Sequence, residues 1–117
     1  MKLDRIAEKL SLRNITPELG EKGNAEIVSG HASDLLSDVL AHAPSGGVLV
    51  TIQAHMNVIA VSLHAGLSAV IFSSGRVPEE DVRRKAVEEG IPLYVSEEPT
   101  FDVVGRLYSL GLRGSHA

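Results

Sequence analysis

Short apolar runs recur along this chain, and each is followed by a segment of helix length. "AEIVSG" (25–30), "VLVTI" (48–52), "AVIF" (69–72) and "PLYV" (92–95) are too short for buried helices and read as strands. "VLVTI" and "AVIF" have no polar alternation, as expected of strands covered on both faces. Strand and helix in strict succession, joined by short connections, imply right-handed crossovers and a mainly parallel sheet. The expected architecture is α/β: a three-layer α/β/α sandwich around a sheet of four to five strands.

The helical segments carry their own punctuation. Residues 2–10 place Leu3, Ile6 and Leu10 at helical spacing, and a turn-rich connection holds Pro17, Gly20 and Gly23. Ser33 and Asp34 form an N-cap pair before a helix whose Leu35, Leu36, Val39 and Leu40 share one face. Residues 55–65 form the next helix, ended by Gly66. Residues 78–89 follow with Pro78 near the first turn, acids at the amino end, and Gly90 beyond. Pro92 is confined to a strand start. Residues 99–110 close with a helix bearing Phe101, Val104, Leu107 and Tyr108. The 55–65 helix is apolar nearly all round, so it is buried on more than one side: at a subunit interface, or as a central helix within the chain.

With 117 residues the chain amounts to one domain, 1–112, followed by a tail. The tail, "RGSHA" (113–117), has the composition cloning vectors leave behind and is set aside, with His116. There is no cysteine, which removes disulfides, thiolate nucleophiles and thiolate-held metal or iron–sulfur sites. Eleven basic against fifteen acidic residues give a net charge of −4, which argues against nucleic acid as a partner. Aromatic residues are 3%, too few for base-stacking platforms. No apolar run is long enough to span a bilayer and no signal peptide opens the chain, so no membrane is expected and the cytoplasm is the expected compartment.

In open parallel sheets, ligands sit beyond the carboxyl ends of the strands. All four such ends here are polar. The first strand exits into Gly30, His31, Ser33 and Asp34, and the second into Thr51, Gln53, His55 and Asn57. The third exits into Ser73, Ser74, Gly75 and Arg76, and the fourth into Ser96, Glu97 and Thr100. Helix amino ends attract anions, Gly75 allows close backbone approach, and Arg76 offers a two-pronged donor. The candidate lining is therefore Ser33, Asp34, Thr51, His55, Ser73, Ser74, Gly75, Arg76 and Thr100, and the expected ligand is a small anion or nucleotide. The competing reading of each loop alone is a plain turn or helix cap.

Chemistry beyond binding finds no support. His55 and His64 fall on opposite faces of one helix, and His31 and His42 have no partner at ligand spacing, so neither metal nor cofactor is expected. GxSxG, GxxxxGK[ST] and GxGxxG are all absent. His31, Ser33 and Asp34 are the residue types of a hydrolytic triad, but such close neighbours point in different directions. No two carboxylates stand as acid and base at two strand ends.

The segment "VTIQAHMNVIAVSLHAGLSAVIFSSGRVPEEDVRRKAVEEGIPLYVSEEPTFDVVGRL" resembles the DRTGG domain family. The matching features are Thr51 ending a strand, Ser73-Ser74-Gly75-Arg76-Val77-Pro78, Ile91-Pro92 before a strand, and Thr100-Phe101 opening the last helix. "GHASDLLSDVL" (30–40) resembles the opening of the domain's first crossover helix. Ala54-His55 stand where the family has Asp-Arg, and serine replaces the threonine of its Thr-Gly-Gly. The resemblance implies an α/β/α domain similar to the amino-terminal domains of HPr kinase/phosphorylase and the Mur ligases. Such domains accompany phosphate acetyltransferase regions and CBS-containing regulatory pyrophosphatases, and are associated with regulation and dimer contacts. Stand-alone versions resemble proteins encoded near iron-only hydrogenases, but no cysteine is present here to hold a cluster. The leading expectation is a non-catalytic, homodimeric regulatory module. The alternatives are a protein–protein adaptor using the apolar 55–65 helix, with a link to hydrogenase or energy metabolism, and a small phosphohydrolase or transferase using Asp34 or His55.

Overall fold

In the computed structural model, which describes residues 1–115, the chain forms a five-stranded sheet between two layers of helices. In order these are α1 (Leu3–Lys9), β1 (Arg13–Asn14), a 3₁₀ segment (Pro17–Gly23), β2 (Gly30–Ala32), α2 (Leu36–His42), β3 (Val48–Thr51), α3 (Asn57–Ala65), β4 (Ala69–Phe72), α4 (Glu80–Glu89), β5 (Leu93–Val95) and α5 (Thr100–Ser109). The strand order is β1-β5-β4-β3-β2. β2 to β5 are parallel, and β1 joins β5 antiparallel, Arg13 opposite Val95. The α/β sandwich with a mainly parallel sheet is thus as expected from the sequence.

Every residue of β3, β4 and β5 is buried, because strand alternation feeds two cores. Val48, Val50, Ala69, Ile71 and Tyr94 face α1 and α5, meeting Leu3, Ile6, Leu10, Val103 and Leu107. Leu49, Val70, Phe72, Leu93 and Val95 face the other layer, meeting Val39, Val58, Ile59, Val82 and Ala86 of α2, α3 and α4. No helix among the described residues is long and apolar enough to cross a membrane.

The structure corrects the sequence reading in several places. The first parallel strand is 30–32, not 25–30. Residues 27 and 28 spend their amides elsewhere: Ile27 N donates to Met1 O at 2.7 Å and Val28 N to Gly46 O at 3.1 Å. Gly30 and His31 are therefore strand residues, not its exit. α2 has no side-chain cap, and only Val39 of its expected apolar face is fully buried, with Leu35 and Leu40 exposed. α5 packs through Val103 and Leu107, leaving Phe101, Val104 and Tyr108 outward. β1 was not expected at all: it is two exposed polar residues whose pairing comes from β5. α3 is the central helix of its layer, flanked by α2 and α4, and its Val58, Ile59 and Ser62 are buried there. Arg113 and Gly114 of the tail lie along the outer edge of β2: Gly30 N donates to Arg113 O at 3.0 Å, and Gly114 pairs with Gly30. His116 lies outside the described residues.

Candidate functional site

Parallel strands bring the loops after β2, β3, β4 and β5 to one rim of the sheet. There they are stitched to one another. Asp34 Oδ1 accepts from Thr51 Oγ1 and from Ile52 N, both at 2.8 Å, and so locks the β2–α2 loop onto the end of β3. The fully buried Ser73 hydroxyl bonds to Thr100 Oγ1, tying the end of β4 to the start of α5. Ser73 N donates to Thr51 O (3.0 Å), Ser74 N to Glu98 O (2.7 Å) and Gly75 N to Ser96 O (2.8 Å).

These bonds determine what the β4–α4 loop offers a ligand. The amides of residues 73–75 are all taken internally, and Arg76 N closes a turn onto Ser73 O at 3.2 Å. Ser74 and Gly75 have φ of 57° and 66°. Two consecutive left-handed residues closed by such a bond make a tight turn of the I′ kind. A Cβ on Gly75 would lie 2.6 Å from Glu97 Oε2, so what faces this glycine is a carboxylate. The small residues here build the turn, and do not leave a ring of free amides.

Beside the turn, a cleft of about 340 Å³ opens between the β3–α3 and β4–α4 loops, lined by Ala54, His55, Met56, Val77, Pro78 and the first turn of α4 with Glu79 and Asp81. Of the nine residues singled out in the sequence, His55 alone lines it. It is exposed, and its Nδ1 accepts from Asn57 N at 3.2 Å. Arg76 immediately precedes the lining residue Val77; it is exposed and has no ion-pair partner among the described residues. Ser33, Asp34, Thr51, Ser73, Ser74, Gly75 and Thr100 do not line it. The parallel strands follow one another across the sheet without reversing, so no crevice splits the rim at its middle, and the cleft lies between neighbouring loops. The sequence marks Glu79 and Asp81 as acids at a helix amino end, and nothing in their spacing marks them as lining.

A second polar cluster was missed in the sequence. Asp38 on α2 bridges two histidines: its Oδ2 lies 2.8 Å from His31 Nε2 and its Oδ1 3.1 Å from His42 Nδ1. The hydrogen bond from His31, with others from Ser33 and His42, holds the Asp38 carboxyl below its ordinary value. The His42 contact spans one helical turn and was readable; the His31 contact needed the true position of β2. Three imidazole or carboxylate groups poised around a shared metal position are not found among the described residues.

No family model matches the sequence, and no curated protein matches it. Among solved structures, the chain is similar to the CBS and DRTGG domains of the regulatory region of Clostridium perfringens pyrophosphatase, crystallised with its activator diadenosine tetraphosphate. The TM-score is 0.74 at 14% identity, over 90% of this chain. The match takes in 45% of the pyrophosphatase chain, so the present chain spans about half of that one. At this identity the likeness is one of fold. It agrees with the DRTGG resemblance, whereas the similarity to HPr kinase/phosphorylase and the Mur ligases rests on sequence motifs alone.

Proposed function

We propose that the chain is a non-catalytic regulatory module that takes a small anionic or nucleotide ligand at the carboxyl rim of its sheet and works as a homodimer. The fold is shared with a regulatory region whose crystal holds an activator nucleotide. The observation that carries the reading is an exposed guanidinium, Arg76, with no carboxylate partner among the described residues, next in sequence to the lining of a cleft of ligand size.

The electrostatics divide the ligand between two environments. Glu79 and Asp81 repel phosphate from the inside of the cleft and accept hydrogen bonds from ribose hydroxyls or base amino groups. Arg76 at the mouth receives the phosphate through two parallel N–H donors. His55 sits on the opposite wall. The bonded pairs Asp34–Thr51 and Ser73–Thr100 brace the strand ends from which the two loops leave, and need not touch the ligand.

Calorimetry with AMP, ATP, diadenosine tetraphosphate and inorganic phosphate tests this. Binding tighter than millimolar is expected for at least one nucleotide. Arg76→Ala weakens it by about 1–3 kcal/mol, roughly 5- to 150-fold. Failure of every nucleotide to bind removes the ligand reading, and an unchanged affinity in the variant removes Arg76 from the site. The adaptor reading finds a surface on α5 instead of on the 55–65 helix, most of whose apolar residues are used within its own layer.

A further inference from the structure

We propose that the cleft between the β3–α3 and β4–α4 loops selects guanine: the Glu79 carboxylate takes the two adjacent N–H donors of the base, and the His55 ring donates to its carbonyl oxygen. The inference rests on the rim site proposed above and names the base that this site prefers.

Three acids stand in a row where α4 begins, Glu79, Glu80 and Asp81, and their partners sort them. Glu80 is bonded to Arg83, its Oε1 lying 2.7 Å from Arg83 Nε, and Arg83 also holds Glu18 at 2.7 Å. Glu80 does not line the cleft. Glu79 and Asp81 do line it, and neither has an ion-pair partner among the described residues. Asp81 Oδ1 accepts from Val82 N at 2.9 Å, which leaves it one oxygen. Glu79 occupies the N-cap position of α4, yet its side chain makes no capping hydrogen bond. Its carboxylate therefore keeps both oxygens for a ligand.

His55 supplies the opposite polarity. Its Nδ1 accepts from Asn57 N at 3.2 Å, so the proton of the neutral ring sits on Nε2, which is left as a donor. The rest of the lining is apolar: Ala54, Met56, Val77, Pro78 and Val82. A thioether and a pyrrolidine ring suit the face of an aromatic system. The cleft thus pairs apolar walls with one side-chain donor and an acceptor-only carboxylate.

Guanine matches that set. Its edge runs O6, N1–H, N2–H₂, an acceptor followed by two neighbouring donors. A carboxylate accepts and never donates when ionised, and it receives two parallel N–H groups at once. Adenine has a single donor group, N6–H₂, beside the lone pair of N1. Facing Glu79, that lone pair meets a negative oxygen, and N6–H₂ finds no acceptor in His55. Cytosine repeats the adenine pattern, and uracil has one N–H between two carbonyls.

Calorimetry of the full chain with GTP and with ATP, without divalent cations, tests this. The phosphates are the same, so the ratio of affinities reports the base. GTP is expected to bind at least about fivefold tighter, the low end for a bidentate base contact because Glu79 is exposed. Glu79→Gln exchanges one acceptor oxygen for an N–H₂ donor, the pairing that suits adenine, and should bring the ratio to one or reverse it. His55→Ala should weaken GTP roughly 3- to 10-fold and ATP less. Glu80→Gln, outside the lining, should leave the ratio as it is. Circular dichroism checks that each variant is folded. ATP binding as tightly as GTP overturns the preference and leaves the rim site standing. A ratio that Glu79→Gln does not move overturns the role given to Glu79. Binding of neither nucleotide overturns the rim site itself, and the preference with it.

Discussion

Replacing Gly75 by alanine tests how the carboxyl rim is built. The residue sits at φ 66°, directly after Ser74 at 57°. A Cβ in the left-handed region costs about 1–2 kcal/mol. The new methyl also meets Glu97 Oε2 at 2.6 Å, but that oxygen ends an exposed, flexible side chain and can swing away, adding well under about 1 kcal/mol by rotamer strain. The total is about 2 kcal/mol, which lowers the melting temperature by roughly 8 °C for a domain of this size. Urea unfolding of Gly75→Ala, Glu97→Ala and the double variant separates the two parts. Glu97→Ala is expected to relieve only the smaller one, because the backbone term persists without the carboxylate. A loss below about 0.5 kcal/mol, against the left-handed cost, would refute the turn argument. Full recovery in the double variant would place the whole cost in crowding. A variant of unchanged stability that no longer binds nucleotide would show that Gly75 faces a ligand.

Two further perturbations probe the polar joints. Asp34→Ala strips an acceptor from Thr51 Oγ1 and Ile52 N at once, and should cost about 1–2 kcal/mol in urea unfolding, with Asp34→Asn milder; an effect within error would mean that the two loops hold their register without it. Asp38 has a folded-state pKa below its unfolded one, so its contribution is complete above the unfolded value and is lost as pH falls through the folded value. Asp38→Asn should therefore flatten the acid side of the stability–pH curve, and parallel curves for wild type and variant would remove the His31–Asp38–His42 cluster from the acid response.

The core strands were legible because burial on both faces leaves no polar alternation: Val48–Thr51, Ala69–Phe72 and Leu93–Val95 all stand inside runs read as strands. β2 was not, since Ile27 and Val28 are apolar for other reasons. Ile27 plugs the core beneath the amino terminus, and Val28 lies exposed beside Gly46. β1 carries no apolar signal, and its partner comes from the far end of the chain. The facing of α5 was ambiguous because both of its stripes fit a helical period, and only the position of the sheet selects Val103 and Leu107. At the rim, the polar loop ends were visible in sequence, but their mutual bonds were not. Asp34 reads as a helix cap until Thr51 is seen 2.8 Å away.

The antiparallel seam between Arg13–Asn14 and Leu93–Val95 has a bearing on biosynthesis. A ribosome delivers the leading segment long before its berth exists. Leu3, Ile6 and Leu10 must wait for Tyr94, Val103 and Leu107 to emerge before they are fully sheltered. The middle β–α units can accrete one upon the next as they appear, whereas the seam of the opening stretch closes only once Leu93–Val95 has been made.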